Sequence, residues 1–281
     1  MTERESLTPS AALSVRPEVA LSLEHVTKRF AVRAGEAYTA VEDITLDVPA
    51  GRFVAVVGPS GCGKSTLLNM AAGLTSPTSG SVTVYGQPLC GINERAGYMF
   101  QQDALLPWKT VLDNVILGLL FRGRPRREAT ELGMTWLARV GLAGSALSYP
   151  YELSGGMRKR VAMAQNWIVN PDMLLMDEPF SALDIHTRQR MEGELLQLWS
   201  GSSKSVLFVT HDLEEAISLS DEVVVLSAGP ASRIVQRYPV DLDRPRNLLD
   251  LRTQSAFVDT YRRIWADLKQ EVLRSHGDEI A

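Results

Sequence analysis

The stretch "GRFVAVVGPSGCGKSTLLNM", residues 51–70, decides the fold. Residues 51–58 are nearly all apolar, as expected of a strand buried on both faces. Residues 64–74, "KSTLLNMAAGL", read as a helix. Between them, "GPSGCGKS" (58–65) matches G-x-x-x-x-G-K-[ST], and a strand before and a helix after are the context this motif requires. Gly58, Gly61 and Gly63 let the backbone wrap phosphate groups with its N–H donors. Lys64 can reach β- and γ-phosphates, Ser65 can ligate Mg²⁺, and Thr66 adds a contact to the α-phosphate.

Upstream, residues 20–30 and 38–49 alternate apolar and polar side chains, the mark of half-buried strands. "GSVTVYGQPL" (80–89) reads as a hairpin turning near Gly86, and 96–102 as another short strand. From about 103 to 167 the period becomes helical, with Gly/Pro breaks at 123–125 and 148–150. Buried strands then resume at 172–178, 205–212 and 222–229, with helices between them. Alternating buried strands and helices imply a mainly parallel α/β sheet with crossovers. The early alternating strands form a separate antiparallel sheet, and 103–167 an inserted helical subdomain.

Composition sets the outer bounds. The 281 residues are 45% hydrophobic and 22% charged, with a net charge of −4, so no basic excess points to nucleic acid. Cys62 and Cys90 form no CxxC or Cys/His cluster, which argues against a zinc site and fits a reducing compartment. Residues 1–18 carry acids and lack an apolar core, so they read as a flexible tail and not a signal peptide. "VLDNVILGLLF" (111–121) is too short to span a bilayer and contains Asp113 and Asn114. Any membrane role must then come through a partner.

Three further strand ends carry polar groups. "MLLMDEP" (173–179) ends in Asp177, placed to hold Mg²⁺, and Glu178, placed to polarise an attacking water. "VLFVTHD" (206–212) presents His211 as a candidate γ-phosphate sensor. Gln101 follows "GYMF" at the start of the helical insert, where its amide can ligate Mg²⁺ or position water. A fourth element, "LSGGM" (153–157), opens a helix with a serine and two glycines, a ready anion site.

In this order, "GPSGCGKST", "FQQDALLPW", "LSGGM", "MLLMDEP", "SALD" (181–184) and "TH" (210–211) resemble the ATPase subunit of ABC transporters over roughly residues 20–240. The resemblance implies a P-loop NTPase (RecA-like) α/β core spanning 19–248, with a C-terminal amphipathic helix over 249–281. It implies ATP and Mg²⁺ as cofactors, and a head-to-tail dimer in which one copy's Ser154, Gly155 and Gly156 cover the γ-phosphate held by the other's Lys64. The nucleotide set becomes Phe30, stacking on adenine, with Gly58, Pro59, Ser60, Gly61, Cys62, Gly63, Lys64, Ser65 and Thr66. The metal set is Ser65, Gln101 and Asp177; the catalytic set is Lys64, Gln101, Glu178 and His211. Asp184 would lie near the dimer axis.

"DALLPW" (103–108) and the tail 255–272 look like importers of nitrate, sulfonate, taurine or related small solutes. The implied partners are a second copy, a membrane permease reached through about 101–121, and indirectly an extracytoplasmic solute-binding protein. The implied location is peripheral, on the cytoplasmic face of the inner membrane. A soluble ABC ATPase of DNA repair or translation, or a nucleotide binder without turnover, are the alternatives. Two positions depart from the family pattern. Lys159 stands where glutamine is common, which replaces a trans ribose contact or turns it towards a phosphate. Gln165 stands where arginine is usual, which loosens the helical subdomain.

Overall fold

The computed structural model describes residues 18–32 and 37–277. The expected tail, apart from Glu18, lies outside them. Two long strands come first, β1 (Val19–Ala31) and β2 (Ala37–Pro49), then β3 (Phe53–Val57), α1 (Lys64–Ala71), β4 (Ser79–Val84), β5 (Gln87–Pro88) and β6 (Ala96–Met99). Three helices follow: α2 (Val111–Phe121), α3 (Arg126–Arg139) and α4 (Gly155–Ile168). The chain then alternates through β7 (Met173–Asp177), α5 (Ile185–Ser200), β8 (Ser205–Val209), α6 (Leu213–Leu219) and β9 (Glu222–Leu226). It closes with β10 (Ile234–Pro239), α7 (Leu248–Leu251) and α8 (Ser255–Gly277).

Two sheets result. β2-β1-β4-β5 is antiparallel, while β10-β9-β3-β8-β7-β6 is parallel except for β10. β3 is central, and its five side chains are all buried. The period of two splits them between layers: Phe53, Ala55 and Val57 face the core under α5, α6 and α8, while Val54 and Val56 face the core around α1 and the antiparallel sheet. Fully burying each of these larger side chains contributes about 1.5–3 kcal/mol. β10 has no counterpart in the sequence reading. Its burial is mixed, as fits an edge strand, and Pro239 ends it where no ladder donor is needed.

Residues 103–110 are not helical; the helices of the insert begin at Val111. Asn114, fully buried, staples that loop: its side chain accepts from Leu106 N at 2.7 Å and donates to the carbonyls of Leu106, Lys109 and Thr110 at 3.0–3.1 Å. Val115, Ile116, Leu137 and Val161 form a separate small core between α2, α3 and α4. At the other end, α8 buries Phe257, Ile264 and Leu268 in the main core. Glu271, 4% exposed, accepts from Ala228 N at 2.9 Å. Trp265, on the apolar stripe by sequence, is 41% exposed. Among the described residues, no helix is long and apolar enough to cross a membrane.

Candidate functional site

The loop after β3 leads into α1 without a side-chain cap; Gly63 takes the N-cap with φ +89. A Cβ there would also stand 2.5 Å from Val41 Cγ1, so glycine is required twice over. The uncapped helix start leaves N–H donors for an anion. Lys64 is folded back on the loop, its Nζ donating to the carbonyls of Gly58 at 2.9 Å and Pro59 at 3.0 Å. Ser60, Gly61 and Ser65 are exposed, and Thr66 is half-buried. Cys62 contributes to the loop through its backbone. Its side chain is fully buried in the core behind the loop, and burial pushes its thiol pKa up. Only its backbone remains near the loop, and its N–H already reaches Pro59 O at 3.4 Å.

The strand ends of β7 and β8 converge on this loop. Ser65 Oγ donates to Asp177 Oδ1 at 3.1 Å. Burial raises the Asp177 pKa, and the Ser65 hydrogen bond opposes this. Next along the chain, Glu178 takes a left-handed φ of +41, an uncommon conformation for a non-glycine residue and one that clusters at functional sites. Its Oε2 lies 2.9 Å from His211 Nδ1 and 3.3 Å from Gln101 Nε2. The His211 hydrogen bond holds the Glu178 carboxyl below its usual range, and Glu178 raises His211 in turn. An ionised carboxylate only accepts, so Nδ1 carries the proton and Nε2 is left to a ligand. Gln101, Glu178 and His211, far apart in sequence, thus form one cluster. Behind it, the Thr210 hydroxyl bonds the buried Glu215 carboxyl, and Asp212 caps α6.

A cavity of about 540 Å³ runs along Gly58–Gly61 and His211. Its walls include Tyr38 and, from α8, Trp265 and Leu268. Phe30 is not among its lining residues. It pairs directly with Tyr38 across β1 and β2, each 42% exposed, with Lys28 Nζ 5.2 Å from its ring centroid. Sequence reasoning passed over Tyr38; the hairpin register opposite Phe30 is the signal that marks it. Ser154, Gly155 and Gly156 do not line this cavity either. They form the start of α4, where Ser154 Oγ accepts from Met157 N at 3.3 Å. Asp184 caps α5 through the N–H groups of His186 and Thr187, and Thr187 packs so closely that a Cβ on Gly156 would lie 2.7 Å from its Cγ2.

Lys159 does not face solvent where a ribose or phosphate would reach it. It is 3% exposed, donates to Gln101 O at 2.7 Å and contacts Asp103 Oδ1 at 3.0 Å. Gln165 is half-buried in a groove of about 290 Å³ between α2, α4 and the Gln101 loop, which also holds Phe100, Leu117 and Phe121. α4 runs unbroken through it to Ile168.

The family profile described as "ABC transporter" matches residues 41–181. An uncharacterized ABC transporter ATP-binding protein of Methanocaldococcus jannaschii is 45% identical over 260 residues, 92% of this chain and 95% of that protein. A taurine import ATP-binding protein of Rhizobium johnstonii is 45% identical over 80% of this chain and 85% of its own. A nitrate import ATP-binding protein of Synechococcus elongatus is 38% identical over 90% of this chain and 39% of its own. A solved ATP-binding cassette, a dimer in a post-hydrolysis state bound to ADP and Pi, superposes with a TM-score of 0.71 at 30% identity, covering 79% of this chain and 100% of that one. With the phosphate loop, the acidic strand end and the "LSGGM" helix in the places described above, the chain belongs to the ABC transporter family, as an ATP-binding cassette with ATPase activity.

Proposed function

We propose that this chain is the ATP-hydrolysing subunit of an ABC importer, bound to a membrane permease at the cytoplasmic face. The observation that carries the reading is the cluster at the sheet edge: Ser65 on Asp177, and Gln101 and His211 both on Glu178, beside the uncapped start of α1. Lys64 exchanges its two loop carbonyls for β- and γ-phosphate oxygens. Ser65, Asp177 and the Gln101 amide are hard oxygen donors that suit Mg²⁺. When bound, Mg²⁺ neutralises charge building on the phosphates. Glu178, kept ionised by His211, takes the proton of the attacking water. His211, protonated on both ring nitrogens, keeps Nδ1 on Glu178 and donates from Nε2 towards the γ-phosphate. Phe30, with Tyr38 beside it, offers the adenine an aromatic face.

Ser154–Gly156 lie apart from the loop cavity, which supports their use by a second copy in a head-to-tail dimer, as does the dimeric state of the related cassette. The groove holding Phe100 and Phe121, the latter 82% exposed, fits a short permease helix. The taurine and nitrate importers among the relatives support a small solute of that kind, delivered by a binding protein. The test uses Glu178→Gln. With ATP it should accumulate as a dimer on size exclusion and release no phosphate. Adding Ser154→Arg should abolish the dimer while fluorescent ATP still binds. Normal phosphate release by either single variant would overturn the reading.

A further inference from the structure

The ammonium of Lys159 is almost fully buried, an expensive placement unless it is paired and hydrogen-bonded. Both of its contacts lie on one loop: the Gln101 carbonyl at 2.7 Å and the Asp103 carboxylate at 3.0 Å, the latter an ionic contact and not an aligned hydrogen bond. Arg158 holds the other Asp103 oxygen, with Nε at 3.0 Å, and donates from Nη1 to Leu153 O at 2.8 Å. The start of α4 is thereby fastened to residues 101–103 by two cations around one carboxylate. The same loop sends the Gln101 amide to Glu178.

We propose that Lys159 is a positioning residue that ties the two nucleotide sites of the dimer together. The inference rests on the shared-site reading above. There, Ser154–Gly156 of one copy close on the partner's γ-phosphate, whereas Gln101 and Glu178 serve the copy's own ATP. A movement of α4 on closure is carried by the Lys159 ammonium to the Gln101 backbone, and from there to the amide that meets Glu178. The path crosses two contacts and a single residue. A glutamine at 159 could keep the carbonyl bond but would leave the Asp103 charge to Arg158 alone, so a lysine makes the tie stiffer. The burial of Lys159 also explains why it is unavailable to ribose or phosphate.

The experiment measures phosphate release against ATP concentration for the full chain and for Lys159→Met, Lys159→Arg and Asp103→Asn. Lys159→Met should lower kcat about ten- to a hundredfold, the range for a slightly misplaced catalytic group. Its Hill coefficient should fall from near the limit of about two sites towards about one. Binding of fluorescent ATP in the absence of turnover should stay within about twofold, because Lys159 touches no residue of the phosphate loop. Lys159→Arg should restore most of the cooperativity, which a purely space-filling role would not predict. If Lys159→Met fails to fold, Asp103→Asn decides, since it keeps the shape and removes the charge. Wild-type kcat and Hill coefficient in Lys159→Met, or in a folded Asp103→Asn, would overturn the tie. A chain in which Ser154→Arg turns over normally would overturn the shared site itself, a separate failure.

Discussion

Substituting Gly155→Asp separates the fold from the proposed dimer. Gly155 is the first residue of α4, and a Cβ built there meets nothing nearer than Leu183 Cδ2 at 3.7 Å and Arg158 Nη2 at 3.8 Å. The position has room. A carboxylate in the first turn gains about 0.3–1 kcal/mol from the helix dipole. Pairing with Arg158 three residues on adds about 0.2–0.5 kcal/mol, and leaving glycine recovers a few tenths more. The isolated chain should therefore be as stable as the parent or more so, with a Tm unchanged or about 2–4 °C higher. The dimer should respond in the opposite sense. If Ser154–Gly156 meet the partner's γ-phosphate, a new negative charge about 4 Å from it costs about 4 kcal/mol at an effective dielectric constant of about 20. That is nearly three orders of magnitude in dimer affinity for each of the two shared sites. The assay is light scattering after size exclusion, with ATP, in the Glu178→Gln background, beside a thermal melt of the same sample. A Gly155→Asp chain that melts normally and dimerises at the parent's ATP concentration would refute the reasoning.

Other outcomes follow from the same structure. Glu215 is buried and its carboxyl is pushed up to about 8, chiefly by desolvation. A raised acid binds its proton more tightly when folded, so stability is fully present at low pH and lost as pH rises from about 4.5 towards 8, by up to about 1.4 kcal/mol per pH unit. Glu215→Gln should flatten the Tm–pH profile over that range; an unchanged slope would refute the assignment. Ile264→Ala removes a fully buried side chain of α8 and should cost about 2–5 kcal/mol in urea unfolding, whereas a loss under about 0.5 kcal/mol would mean that α8 is not docked. Phe121→Asp, on the rim of the groove, should leave phosphate release by the isolated chain within about twofold but abolish co-purification with the permease. Retained co-purification would move the docking surface elsewhere.

Much of the site could be read directly because its groups sit at strand ends, where an apolar run stops at a polar residue. Gly58–Thr66, Asp177–Glu178 and His211 each follow a buried strand, and the parallel sheet gathers those ends on one edge. Gln101 was legible by the same logic after β6. The directions of the Cys62 and Lys159 side chains were not. Within a motif, spacing says which residues are near a ligand but not which way each side chain turns. Cys62 turns into the core behind the loop, and the long aliphatic stem of Lys159 lets its charge lie inward against Asp103. β10 escaped notice because an edge strand, paired on one side only, has no fixed pattern of burial.

The sequence by itself determined the layered α/β architecture, the phosphate loop and the family. Those depend on local period, glycine conformation and short motifs, all of which are contiguous in the chain. Only the tertiary structure decided that Tyr38 stands with Phe30 at the cavity side, that α8 supplies Trp265 to the same cavity, and that Lys159 grips the Gln101 loop. The last two join residues tens of positions apart, and the first pairs residues of two adjacent strands. Their contact depends on strand register, helix docking and the direction of one side chain, which are set by packing across the whole domain.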